Sequence, residues 1–241
     1  MMYHEFAQFY DQLMDGFSYE DAYNFINEYA LNKGKNFKNI LELACGTGNF
    51  TRELIADDRK IKAVDLSDDM LAIAENKLRN TGVEFFKMDM KDFIFDEKFD
   101  LIISTCDSFN YILSKDDLKI VLKNVYKHLE DDGLFIFDLN SQYKFEGFEK
   151  IYIDEFDDVF YTWENFYDKK DRINMYSLNF FVRKGDLYDR FYEEHYERAY
   201  PHEEVIEMLK EIGFNNIDSY NDYESNKELE TANRIVYIVS K

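Results

Sequence analysis

The feature that most constrains this chain is a turn set between a strand-like run and a helical one: Glu42-Leu43-Ala44-Cys45-Gly46-Thr47-Gly48-Asn49-Phe50. Small residues at a strand-to-helix turn let the backbone come close to a ligand, at the edge where an open parallel sheet binds one. Dinucleotides are one use of such a turn, and their fingerprint carries a third glycine three residues after the second. Here Ala44, Gly46 and Gly48 recur at every second residue, and no third glycine follows, Arg52 and Glu53 coming just past the position where one would be wanted. That spacing suits a cradle for an amino-acid tail better than a grip on a pyrophosphate.

Around the turn, short apolar runs alternate with helical periods, the pattern of an α/β sheet. It predicts helices at 9–13, 19–31, 47–56, 68–79 (with Ser67 as N-cap) and 116–129, and strands at 39–43, 60–64, 83–87, 99–104 and 134–139, with Gly133 as the break before the last. After Asn140 the helical period disappears. Residues 151–156, 159–167, 173–183 and 187–200 read as successive antiparallel strands separated by turn chemistry. A helix at 201–212, stopped by Gly213, and strands at 216–220 and 234–240 then resume the first pattern. The expected fold class is α/β: a doubly wound, mostly parallel sheet of seven strands, with an inserted antiparallel β-meander. The expected domains are 1–142 with 201–241 as one unit and 143–200 as the insert.

A chain of 241 residues is long enough for one sizeable core plus a small lobe. Its start has neither a basic segment nor an apolar run, and no apolar stretch is long enough to cross a bilayer, so a cytoplasmic protein without a membrane partner is expected. Two cysteines, Cys45 and Cys106, make no disulfide framework. With 29 Lys and Arg against 50 Asp and Glu, the formal charge is −21. Such a field repels phosphate backbones, so no nucleic-acid partner is expected. It favours a cationic or neutral substrate only mildly, because acidic side chains also simply aid solubility.

The strand ends carry the chemistry. The second ends in Val64-Asp65-Leu66-Ser67, with a carboxylate about 20 residues past the glycines, where a ribose diol is bound. The third ends in Lys87-Met88-Asp89-Met90, where a carboxylate can accept from an adenine amino group and Met90 can offer its N–H. The fourth ends in Ser104-Thr105-Cys106-Asp107-Ser108-Phe109-Asn110-Tyr111. Asp65 alone is equally readable as a helix cap, and Asp89 alone as a solvated turn residue. Four such ends converging on one crevice are hard to explain as accident.

On these motifs, residues 40–140 resemble a class I S-adenosylmethionine (SAM)-dependent methyltransferase. L-E-L-A-C-G-T-G-N resembles the family's first motif, V-D-L-S-D-D-M-L the second and K-M-D-M the third. The opening Phe6-Ala7-Gln8-Phe9-Tyr10-Asp11-Gln12-Leu13-Met14 and the β-insert after the fifth strand are similar to a bacterial small-molecule branch related to the amino-sugar N-methyltransferases. One departure is Ala44-Cys45, where the loop is often richer in glycine. The resemblance implies SAM as cofactor, with Glu42, Ala44 and Gly46 at its methionine part, Asp65 at the ribose and Asp89 with Met90 at the adenine. Gly48, Leu66, Met70 and Cys106, within or beside the same motifs, join the expected cofactor set.

A sulfonium is an activated leaving group, so the protein need only hold donor and acceptor in line and surround the cation with oxygens and ring faces. An amine acceptor needs at most a weak base; an alcohol needs a better one. The candidates for this work are Tyr10, Asn110, Tyr111 and His195, with Trp163 as a possible wall. Each has a plainer alternative: Tyr10 as aromatic packing, Tyr111 as a helix cap, His195 as a surface strand histidine, Trp163 as insert core. No His or Cys cluster has metal-ligand spacing, so no metal is expected. The expected function is methyl transfer from SAM to a small-molecule acceptor, an amine being mildly favoured. The alternatives are a SAM-dependent modifier of protein or RNA and a non-catalytic SAM-binding module. The aromatic insert is expected to form the acceptor pocket, with a homodimer interface as the rival.

Overall fold

The computed structural model describes residues 6–14, 16–148 and 150–241; the first five residues of the expected larger domain, and positions 15 and 149, fall outside it. Strands β1 (Asn39–Leu43), β2 (Lys60–Asp65), β3 (Glu84–Lys87), β4 (Phe99–Ser104) and β5 (Leu129–Asn140) run parallel. A later antiparallel pair, β10 (Asn216–Asn221) and β11 (Arg234–Ser240), adds to β5, giving the order β10-β11-β5-β4-β1-β2-β3. Strands β6 (Ile151–Phe156), β7 (Val159–Asp168), β8 (Ile173–Lys184) and β9 (Leu187–Arg198) form a separate antiparallel sheet. The seven-stranded, mostly parallel sheet and the second antiparallel one are those the hydrophobic pattern predicts.

Alternating side chains bury both faces of the main sheet. Ile40, Leu101, Ile103, Ile136 and Val236 meet Ile26 and Ala30 of α2 (Tyr19–Asn32) and Phe50 and Leu54 of α3 (Asn49–Leu54). On the other face Leu41, Ile102, Phe135, Phe137 and Tyr237 meet Val121 and Val125 of α5 (Lys115–His128) and Leu209 of α7 (His202–Ile212). Helix α4 (Asp68–Lys77) follows β2 and is capped by Ser67, whose hydroxyl accepts from the Met70 N–H at 3.3 Å. Helix α1 (Phe6–Leu13) packs under the second sheet, with the Phe9 ring stacked on Phe180 and Phe191 at 6.1 and 5.7 Å.

Several boundaries differ from the pattern, each for a local reason. Gly133 does not break the fifth strand, which runs through it. A Cβ there would lie 2.9 Å from Leu129 Cδ1 and 3.1 Å from the Phe99 carbonyl oxygen, so close approach beside the β4–β5 register shift demands the glycine. The helix expected from residue 47 starts at Asn49, because Gly48 is its N-cap in the left-handed region, at φ 78°. Helix α6 (Gln142–Gly147) and a 3-10 turn at Ser108–Tyr111 are too short to show a period. No helix among the described residues is long and apolar enough to cross a membrane.

Candidate active site

The parallel strands end on one edge of the sheet, beyond which lies a cleft of about 970 Å³. In the turn after β1, Ala44 and Gly46 both take φ of 54°. The Gly46 N–H donates to Asp65 Oδ2 at 2.8 Å and the Ser67 N–H to Oδ1 at 2.9 Å, so one carboxylate ties the glycine turn to the end of β2. Burial raises the Asp65 carboxyl above its ordinary value, and these backbone N–H groups oppose the shift.

Ala44, Gly46, Asp65, Leu66, Met70, Asp89, Met90 and Cys106 all line the cleft. Leu66 is 61 % exposed at its rim. Asp89 Oδ1 accepts from the Lys91 N–H at 2.9 Å, so the turn reading of this residue also holds. Two members of the expected cofactor set lie elsewhere. Gly48 is set against α4, where an added Cβ would meet Leu78 and Ala74 at 3.1 and 3.2 Å; its small size serves helix packing. Glu42 lines a small secondary pocket with Tyr10, Cys45 and Cys106. It is 2 % exposed, its Oε2 has no hydrogen-bond partner among the described residues, and burial, augmented by the Asp65 charge, pushes its carboxyl up to about 8. The two thiols flank this pocket because β1 and β4 are neighbours, yet only Cys106 reaches the main cleft.

The second sheet supplies the opposite wall, with Trp163, Tyr176, Leu178 and His195. His195 is 2 % exposed, so the surface reading does not hold. Its Nδ1 lies 3.4 Å from the Tyr111 hydroxyl and its Nε2 3.2 Å from Glu193 Oε2. Tyr111 caps no helix; Ser114 caps α5, accepting from the N–H groups of Asp116 and Asp117. Trp163 combines its two readings, lining the cleft while packing edge-on against Tyr176 at 5.3 Å. Tyr10 also lines the cleft, and burial raises its hydroxyl well above its ordinary value.

Asn110 is the candidate whose placement differs most. It is fully buried and absent from the cleft wall. Its Nδ2 donates to the carbonyls of Asn140 at 3.0 Å and Arg198 at 2.8 Å, and its Oδ1 accepts from the Asn140 N–H at 2.8 Å. It is a joint between the ends of β5 and β9, which fixes the second sheet over the first.

The pattern reading missed an ionic cluster at the junction. Arg234 Nη2 lies 3.1 Å from Asp107 Oδ1 and its Nη1 2.9 Å from Asp138 Oδ1. Asp138 also accepts from the N–H groups of Cys106 (2.9 Å) and Asp107 (2.5 Å) and from the Tyr223 hydroxyl (2.5 Å). Those two N–H groups belong to consecutive residues at φ 58° and 54°, a strained turn that the buried carboxylate holds. The signal was a lone carboxylate inside the apolar run Leu134–Leu139, since buried charges are paired. A second missed feature is a latch: Asp11 of α1 accepts from Thr47 Oγ1 at 2.6 Å, Asn49 Nδ2 at 2.9 Å and Lys77 Nζ at 2.8 Å, pinning α1 across the glycine turn.

Residues 40–133 match the methyltransferase-domain family. YqeM of Bacillus subtilis, a protein assigned to the methyltransferases, is 35 % identical over 218 residues, covering 89 % of this chain and 87 % of that one. An S-adenosylmethionine-dependent methyltransferase from Clostridium acetobutylicum superposes with a TM-score of 0.89 at 39 % identity, over 99 % of this chain and 98 % of that one. The sugar N-methyltransferase KedS8 from Streptoalloteichus shares the fold at a TM-score of 0.78 and 19 % identity, over 96 % and 93 % of the two chains.

Proposed function

The chain belongs to the class I SAM-dependent methyltransferases, and from that premise we propose that it methylates an amine on a small, diffusible acceptor held between the two sheets. The observation that carries this reading is that one cleft joins Asp65 and Gly46 on one side to Tyr111 and His195 on the other.

The residues present fit the cofactor. The left-handed turn at Ala44 and Gly46 presents small residues, Asp65 offers a carboxylate for a diol, and the orphaned Oε2 of Glu42 offers a buried acid beside the turn. In this reading Glu42, Ala44 and Gly46 take the amino-acid end, Asp65 the ribose, Leu66 and Met70 the apolar flank, and Asp89 with Met90 the adenine. When bound, SAM supplies a methyl group on a positively charged sulfur. The chain's own work is positioning: Tyr10 closes the cleft from α1, Cys106 lines it at the end of β4, and Tyr111 and His195 face the acceptor. His195, held between Tyr111 and Glu193, is the group placed to take an acceptor proton.

The shared fold with a sugar N-methyltransferase supports an amine acceptor, and the formal charge of −21 speaks against nucleic acid. Residues 143–200 act as the acceptor-binding unit in a cytoplasmic enzyme. The test is to incubate the protein with methyl-labelled SAM and a fractionated metabolite extract and identify labelled products by mass. A labelled amine of low mass is expected. Label appearing only in protein or RNA would overturn the reading.

A further inference from the structure

The wall of the cleft beside His195 is acidic and aromatic together. Glu197, two residues along β9 on the same face as His195, is 2 % exposed and lines the cleft. Asp107, whose charge bears on this carboxyl, lines the same cleft. Its Oε2 accepts from Asn140 Nδ2 at 3.2 Å, and Asn140 Oδ1 in turn accepts from Lys144 Nζ at 2.8 Å. Arg234, the other cation here, is already committed to Asp107 and Asp138 and lies 3.8 Å from Asp222. Asp107, Asp138 and Asp222 thus share Arg234, and Glu197 meets Lys144 only through Asn140. Tyr176, 4 % exposed, and the Trp163 packed against it complete this corner of the wall.

We propose that Glu197 and Asp107, backed by the rings of Tyr176 and Trp163, form a cation subsite that selects an organic ammonium acceptor over its neutral isostere. The proposal rests on the amine reading above and assigns the residues that enforce it. A carboxylate this deep is costly unless a positive charge or several donors meet it, and among the described residues Glu197 is met by the amide of Asn140. An ammonium group brings the missing charge, and the ring faces add cation–π attraction. Burial and the neighbouring Asp107 charge hold the Glu197 carboxyl well above its ordinary value, as expected where a cation would complete the site. The subsite also orders the chemistry. An ammonium has no lone pair, so it must lose a proton before its nitrogen can form the new C–N bond. An acceptor nitrogen that reaches from the Glu197 carboxyl to the His195 ring, two residues along the same face of the strand, can pass that proton to the imidazole, leaving neutral amine and imidazolium.

The probe pair is cyclohexylammonium and cyclohexanol, similar in size and different in charge, titrated against the full chain saturated with S-adenosylhomocysteine. The ammonium is expected to bind at least tenfold more tightly. Glu197→Gln is expected to abolish that preference while leaving the affinities for SAM and S-adenosylhomocysteine unchanged. Equal binding of the two probes to the wild type, or a preference that survives Glu197→Gln, overturns the proposal. So does a Glu197→Gln protein that loses SAM affinity but keeps S-adenosylhomocysteine affinity, because the carboxyl then serves the donor's sulfonium. If Glu197→Gln does not fold, Glu197→Asp is to retain the preference at weaker affinity, and its loss there overturns the proposal. A labelled-methyl screen that returned a neutral acceptor would strike the amine reading, and the probe pair would still measure the subsite by itself.

Discussion

The Tyr111 hydroxyl stands 3.4 Å from Nδ1 of His195, although 84 positions separate the two residues and one follows a strand of the main sheet while the other lies within the second sheet. Tyr111 ends the 3-10 turn after β4, and His195 lies in β9 with Glu193 at its other nitrogen. The contact exists because Asn110, the residue before Tyr111, clamps the end of β9 through the Arg198 carbonyl. A ring held on both sides has a fixed orientation, which proton transfer requires. His195→Asn is therefore expected to slow methyl transfer by roughly 10²-fold, the lower end of the range for general acid–base catalysis. Tyr111→Phe should cost less. Affinity for S-adenosylhomocysteine, measured by calorimetric titration, should not change in either variant. A parallel loss of cofactor affinity would show that the pair shapes the donor site instead.

Asp65 accepts from Gly46 and Ser67 while facing the cleft. Asp65→Ala removes both the stitch between turn and strand and the carboxylate offered to a ribose. A loss of about 1.5–3 kcal/mol in SAM binding is expected, the scale for hydrogen bonds to a charged group. Calorimetry showing the wild-type affinity would remove Asp65 from the cofactor site.

Much of this architecture was legible in the sequence because its signals are periodic. The β–α alternation through 40–140, the Ser67 cap and the alternation of Phe191, Glu193 and His195 each follow from a repeat of two or about 3.6 residues. What was not legible is what depends on three-dimensional approach. Gly133 reads as a break and is instead a site of crowding. Asn110 reads as a polar group at a strand end and is instead a joint whose partners lie 30 and 88 positions away. Arg234, Asp107 and Asp138 come from three separate strand ends, and no local pattern announces that they meet.

Glu42 makes stability depend on pH in a definite direction. Its ordinary value is 4.5 and its folded value about 8. Between these limits the folded chain holds a proton that the unfolded chain has released, so Glu42 costs stability progressively as pH rises from about 4.5 to about 8, and the cost is constant above that. Glu42→Gln has no such proton to lose. Without cofactor, its melting temperature relative to the wild type should rise across this window, as thermal unfolding at several pH values would read. A difference independent of pH would mean that Glu42 ionises normally in the folded protein.

The Asp11 latch has the opposite sign. Lys77, Thr47 and Asn49 hold its carboxyl below the ordinary 3.8, against the opposing effect of partial burial. Its contribution is present at neutral pH and is lost as pH falls below about 4 through the folded value. Because Asp11 pins α1 across the glycine turn, Lys77→Met should loosen that helix without unfolding the sheet. Faster hydrogen exchange confined to residues 6–14, with quicker cofactor dissociation, is the expected result. Unchanged exchange there would show that the stacking of Phe9 on Phe180 and Phe191 suffices to hold α1.

Arg234 is the counter-ion on which the junction depends. Its guanidinium lies within 3.1 Å of Asp107 and 2.9 Å of Asp138, and Asp138 is fully buried. Asp138 cannot be relieved by solvent, and it also holds the N–H groups of the strained Cys106–Asp107 turn. Removing one partner of a buried pair leaves an uncompensated charge, which costs about 3–5 kcal/mol. Arg234→Met should therefore lower the unfolding free energy by about that amount in chemical denaturation, with the loss shrinking at acid pH as Asp138, whose carboxyl burial already raises, takes up a proton. Arg234→Lys should recover only part of it, because one ammonium cannot span both carboxylates as a planar fork does. A Lys variant as stable as the wild type would show that charge alone, and not the fork, holds the turn at the end of β4.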